Sequence, residues 1–120
     1  MTCDAFEVVV VPFPFTDSSQ SVKRPATVLS RRPFNAEGHT VMAMITDARN
    51  PPWPLDIRMD HESAGLKMPS VVRMKFFTLD NRLILRSIGR LSQADRQELL
   101  NGLRQILPPL VGTSAEWLEP

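Results

Sequence analysis

Soft metal ligands are scarce in this chain. It carries one cysteine, Cys3, and two histidines, His39 and His61. The histidines stand far apart, neither has a companion at a ligand spacing such as His-x-x-x-His, and no second cysteine completes a set. No metal and no other cofactor is therefore expected. A single cysteine also excludes an internal disulfide framework and fits a reducing compartment. Its setting in MTCDAFE reads as an incidental position in a frayed N-terminus. Net charge is nearly absent: 14 Lys and Arg against 13 Asp and Glu leave +1, so any basic site has to be a local cluster. Glycines number only five, and Gly65, Gly89 and Gly102 stand singly, which excludes a phosphate-cradling glycine loop. No nucleophile elbow is present, which argues against a Ser-His-Asp hydrolase. No apolar run is long enough to span a bilayer, and acids occupy the N-terminal positions where a signal peptide carries basic residues. The reading is a cytoplasmic protein without membrane contact.

A hydrophobic content of 42% in 120 residues is enough for the core of one domain, taken as 1–120 with 113–120 as a flexible tail. Eleven prolines cluster at connections and punctuate short strands. Four consecutive valines in Phe6–Pro12 predict a first strand covered on both faces. Pro12 and Pro14 remove donors from one edge, so the chain should leave the sheet there, with Phe13 and Phe15 packing inward. Strands follow from Pro25, over His39–Thr46, around Leu55–Met59, over Ser70–Phe77 and in LILRSIGRL; RRPFNAEGH and TLDNR read as turns, and DARNPPWP as a rigid connection. Ser92 opens the one long helix, with Asp95 three residues on in place of the usual Glu or Gln of a capping box. Leu99, Leu103, Ile106 and Leu107, broadened by Leu100, form its apolar stripe, and Pro108 stops it. The tail residues Trp117 and Leu118 suit either a docked end or a segment packing on a partner. The pattern predicts a mainly β fold, a small barrel with a C-terminal helix.

Basic residues fall in clusters: Lys23-Arg24, Arg31-Arg32, Arg73 with Lys75, and Arg86 with Arg90. Each alone suits a solvated strand face or a protected edge. Together they can line a groove for the phosphate backbone of a nucleic acid, RNA or DNA. Arg24 stands out because Pro25 biases it to extended backbone and its planar fork of donors fits phosphate oxygens. Thr46 followed by Asp47 ends the third strand, and an antiparallel hairpin of strands 2 and 3 would bring Thr46 to Arg24.

EVVVVPFPFTD, KRPATVLS, MIT and AGLKMPSVVRMKFFTLDNRLILRSIGRLS, with the helix after them, resemble the PemK/MazF-like toxins of type II toxin–antitoxin systems over Phe6 to Leu107. The resemblance implies an SH3-like (MazF/CcdB-like) small β-barrel assembled as a homodimer, with Met42, Met44 and parts of the last strand as candidates for the contact. It implies a metal-independent endoribonuclease, an mRNA interferase, cutting single-stranded RNA by 2′-OH attack to leave a 2′,3′-cyclic phosphate and a 5′-OH. It also implies a cognate antitoxin whose acidic segment covers the basic groove. Arg24 and Thr46 match the family's catalytic pair. Thr16, Asp17, Ser19, Gln20, Lys23, Asp47, Arg73 and Lys75 are the corresponding candidates for RNA binding.

Two family features depart here. The loop glutamate of the MazF branch aligns near Ser19, with Asp17 the nearest acid. The Arg-x-Asp of the Kid/PemK branch becomes Arg73 and Lys75, without the acid proposed as general base. Asp47, Asp17 and His61 are left as candidates for that role. The alternative is a catalytically weak or inactive family member that acts as a protein-binding toxin, inhibiting DNA gyrase by contact as CcdB-like toxins do, with Trp117 near the C-terminus as its pointer.

Overall fold

The computed structural model describes residues 1–14 and 21–109. Its strands are β1 (Glu7–Phe13), β2 (Val22–Val28), β3 (His39–Asp47), β4 (Ile57–Met59), β5 (Ser70–Asp80) and β6 (Arg86–Arg90). They form one antiparallel sheet in the order β4-β5-β3-β2-β1-β6, and the small barrel expected from the sequence is realised as a half-barrel. A short helix, α1 (Arg32–Asn35), replaces the turn expected after β2, and the long helix α2 spans Gln93–Ile106.

The valine run explains the centre of the sheet. Val8 packs into a cluster with Ala43, Ile45, Val72, Leu91 and Leu99, the last contributed by α2. Val9 and Val11 pack into a second cluster with Cys3, Ala26, Val28, Met42 and Leu79. Successive strand residues point to opposite faces, so an unbroken apolar run serves two cores at once. Cys3 is buried here rather than frayed, and Asn35 Nδ2 donates to its carbonyl at 2.9 Å. Met42 is wholly buried within the protomer, which removes it from any dimer surface.

Pro12 does less than the sequence suggests. The Val10 carbonyl accepts from Leu85 N, so Val10, and Pro12 two residues on, face the β6 edge. β6 pairs only as far as Val10, so the donor missing at Pro12 is not needed. The opposite edge stays paired to β2 through Pro12↔Lys23 and Phe13↔Val22. β1 therefore reaches Phe13, which is exposed rather than packed inward, and β2 begins at Val22, before the expected Pro25. β5 likewise runs to Asp80, three residues beyond the expected end at Phe77, and β6 is confined to Arg86–Arg90. Ser92 caps α2 by accepting from Asp95 N at 3.2 Å. The Asp95 carboxylate does not return to the cap. It accepts from Asp60 N at 2.7 Å, tying the helix to the segment after β4. Leu99 and Leu103 carry the helix stripe into the core, while Ile106 and Leu107 stay exposed.

Candidate nucleic-acid interface

The β2–β3 register is Ala26↔Met44, Thr27↔Ala43 and Val28↔Met42. Continued two residues past its last pair, it sets Arg24 opposite Thr46, the antiparallel arrangement on which their meeting depended. Both line one cleft of about 220 Å³ with Pro25, Ile45, Asp47, Lys67 and Ser70. Arg24 also lines an adjoining cleft of about 250 Å³ with Val10, Lys23, Lys67, Arg86 and Ile88. The two clefts share Arg24, Pro25, Leu66 and Lys67 and make one basic trough.

The wall of the trough is the segment Asp60–Pro69. Its start is held by the Asp95 carboxylate and its end by Ala48 N donating to the Pro69 carbonyl at 3.0 Å. Between them, Gly65 adopts φ +79°, and a Cβ there would lie 2.1 Å from the Ile88 carbonyl oxygen. Gly89 returns the fit: its Cβ would lie 2.5 Å from the Ala64 carbonyl carbon. Two facing glycines thus let the segment lie flat on β6, and Lys67 and Arg86 come to flank Arg24. Lys67 carried no signal of its own in the sequence, because a lone loop lysine is ordinary. Arg86 and Arg90, expected on one face, are separated by a register shift in β6; Arg90 lines an apolar groove with Leu100 and Leu103 of α2 and with Leu107, which caps it.

Lys23, Arg24, Lys67 and Arg86 form no ion pair with another described residue. The cleft's one carboxylate among the described residues, Asp47, is engaged: Arg49 binds it through both oxygens, at 2.7 Å for the shortest contact. The side-chain hydrogen bonds from Arg49, followed by the Arg49 backbone N–H, hold the Asp47 carboxyl down at about 2. Thr46 Oγ1 accepts from Asn50 Nδ2 at 2.6 Å. That bond occupies a lone pair and turns the hydroxyl proton outward as a donor. Asn50 was not singled out by its sequence context.

Arg73 and Lys75 lie elsewhere. Arg73 is spent internally: its guanidinium contacts Asp56 at 3.0 Å and the Pro51 carbonyl at 2.9 Å, with only 13% of its side chain exposed. Lys75 sits over the Trp53 ring at 4.2 Å. His61 lines neither cleft of the trough. Thr16, Asp17, Ser19 and Gln20, and Trp117 of the gyrase alternative, lie outside the described residues. Among the described residues no three His, Cys, Asp or Glu side chains gather as a ligand set, and no helix is long and apolar enough to cross a membrane.

A half-barrel of six antiparallel strands with a basic trough at the mouth of β2 and β3 matches a known class. The family model of the PemK-like, MazF-like toxins of type II toxin–antitoxin systems matches residues 4–107. The chain belongs to that family. Among solved structures, MazF from Deinococcus radiodurans superposes with a TM-score of 0.71 at 20% identity, covering 91% of this chain and 99% of that one. An endoribonuclease in complex with its cognate antitoxin, from a mycobacterial species, gives 0.69 at 14% identity, covering 92% and 98%. The toxin MazF-mt6 of Mycobacterium tuberculosis gives 0.68 at 19% identity, covering 82% and 93%. No curated protein matches the chain.

Proposed function

We propose that the protein is a toxin endoribonuclease that cuts single-stranded RNA without a metal ion. The observation that carries this reading is the cleft in which Arg24 and Thr46 meet, with Lys23, Lys67 and Arg86 beside them. The 2′-OH attacks the adjacent phosphorus, the P–O5′ bond breaks, and the products are a 2′,3′-cyclic phosphate and a 5′-OH. Arg24 offers two donors to the phosphoryl oxygens, whose charge grows in the pentacovalent state, and can donate to the leaving oxygen. Thr46, its lone pair held by Asn50, donates its hydroxyl proton to the same phosphate. Lys67 and Arg86 carry the strand on either side, together with Lys23; Thr16, Asp17, Ser19 and Gln20 remain RNA-binding candidates on the family resemblance.

Asp47 is a poor proton acceptor while Arg49 holds it near 2, so this reading gives it no base role and rests on charge stabilisation by the fixed cations. A cognate antitoxin with an acidic segment suits a trough of unpaired cations, and a homodimer is the expected assembly. Arg24→Ala should lower kcat/KM on a defined RNA by about 100- to 1000-fold, in line with removing a donor to a developing oxyanion. The fragments should carry 5′-OH and 2′,3′-cyclic phosphate ends. Unimpaired cutting by Arg24→Ala would remove the site, and purified protein that leaves RNA intact while poisoning gyrase would replace the reading.

A further inference from the structure

Away from the trough, the connection between β3 and β4 presents Trp53, 43% exposed, between Pro52 and Pro54. An exposed tryptophan in a mobile loop would be unremarkable, but this one is fixed. Its backbone N–H donates to Asp56 Oδ2 at 2.9 Å, and Asp56 N donates back to the Trp53 carbonyl at 3.1 Å. Asp56 is gripped by Arg73 through both oxygens, at 3.2 and 3.0 Å, and the same guanidinium reaches the Pro51 carbonyl. Lys75 Nζ lies 4.2 Å from the ring centroid. The turn is thus braced and the ring carries two cations, Lys75 and the Arg73 guanidinium at 6.0 Å, so ordering it on binding costs little entropy.

We propose that Trp53 is a stacking platform for one unpaired nucleobase of the RNA strand, with Lys75 meeting the phosphate next to that base. This rests on the RNA-cleaving reading and adds a specificity site to it. One general principle and one observation favour a base. Aromatic rings paired with cations are the common recognition element for single strands, because every base has a π face. The platform is joined to the cleft by chain and by side chain: Asn50, three residues before Trp53, holds the Thr46 hydroxyl, so the phosphate site and the ring are carried by one short connection. Arg73 is a positioning residue here. Its charge is taken by Asp56, and its work is to hold the Trp53 turn.

The test is binding of a single-stranded RNA oligonucleotide bearing the cleavage motif mapped with the wild-type protein, with 2′-deoxyribose at the scissile nucleotide so that it cannot be cut. Trp53→Ala should raise Kd about tenfold and Trp53→Phe by no more than about threefold, the range expected for one stacked base. An abasic substitution at one nucleotide should cost wild type about tenfold and cost Trp53→Ala nothing further. In a Trp117→Phe background, which leaves Trp53 as the sole tryptophan, the intact oligonucleotide should quench fluorescence and that abasic one should not. Wild-type affinity in Trp53→Ala overturns the platform while leaving the Arg24 site standing. Equal losses in Trp53→Ala and Trp53→Phe, or an abasic penalty that persists in Trp53→Ala, also overturn it. So does a Trp53→Ala protein that binds RNA normally but loses an acidic antitoxin peptide, since the ring then belongs to that partner. A wild-type protein that neither cuts nor binds single-stranded RNA takes the platform and the proposed function down together.

Discussion

Two aspartate–arginine pairs show how one residue type takes opposite tasks. Arg73 is largely buried and grips Asp56, whereas Arg49 is exposed and pairs with Asp47 at the rim of the trough. The Asp47 pair has a measurable consequence. Its carboxyl lies near 2 in the folded protein against an ordinary 3.8, so the pair's contribution to stability is complete above about pH 4 and is lost as pH falls through 2. Carboxyl NMR should find Asp47 titrating near 2, and Arg49→Ala should return it toward 3.8. Asp47→Asn should change kcat by less than about threefold, because so acidic a group accepts protons poorly at neutral pH. A loss of tenfold or more would make Asp47 the base after all. Arg24 was legible as the first candidate from its place before Pro25 at the end of a polar stretch together with the family motif, since Arg32-Pro33 shares the dipeptide. The commitment of Arg73 was not, because Asp56 lies 17 positions away and nothing local announces it.

The segment Asp60–Pro69 depends on its facing glycines more than on any side chain. Gly65→Ala adds a Cβ against the Ile88 carbonyl in a left-handed backbone, and the combined strain and overpacking should cost about 2–4 kcal/mol. Thermal melts should show a fall in Tm on the order of 10 °C, with weakened RNA cleavage as Lys67 shifts. Gly38→Ala is the control: it too has positive φ, +120°, but its Cβ meets nothing within 4 Å, so its effect should be the smaller. Periodicity and capping signals located β3 and α2 nearly to the residue. They missed α1, whose four residues include a proline at the second position and are too short to show a helical period.

For the molecule as a whole, the near-neutral balance conceals a one-sided surface. Asp47, Asp56 and Asp80 are paired to arginines, while Lys23, Arg24, Lys67 and Arg86 pair with no acid among the described residues. RNA affinity should therefore fall with salt despite a net charge of +1. The slope of log K against log salt should be about −3 if all four cations meet phosphates, at about −0.7 each, and Arg24→Ala should make it shallower by about 0.7. Binding that ignores salt between 50 and 200 mM would deny the trough its role.

Composition and pattern pointed to a mainly β architecture closed by a capped helix, and to a strand buried on both faces. These follow from rules acting over a few residues: the pattern of apolar and polar positions along strands and helices, and side chains that satisfy helix ends. The family motif singled out Arg24 and Thr46, but their meeting was conditional on strand pairing. The β2–β3 register supplied that condition. Folding also decided that Lys67 joins them, that Arg86 and Arg90 part company, and that Arg73 serves a turn. Each of these depends on register, a bulge, or the contact of two glycines distant in sequence. Such long-range geometry leaves no periodic trace along the chain, because it is fixed by which surfaces meet when the sheet curls.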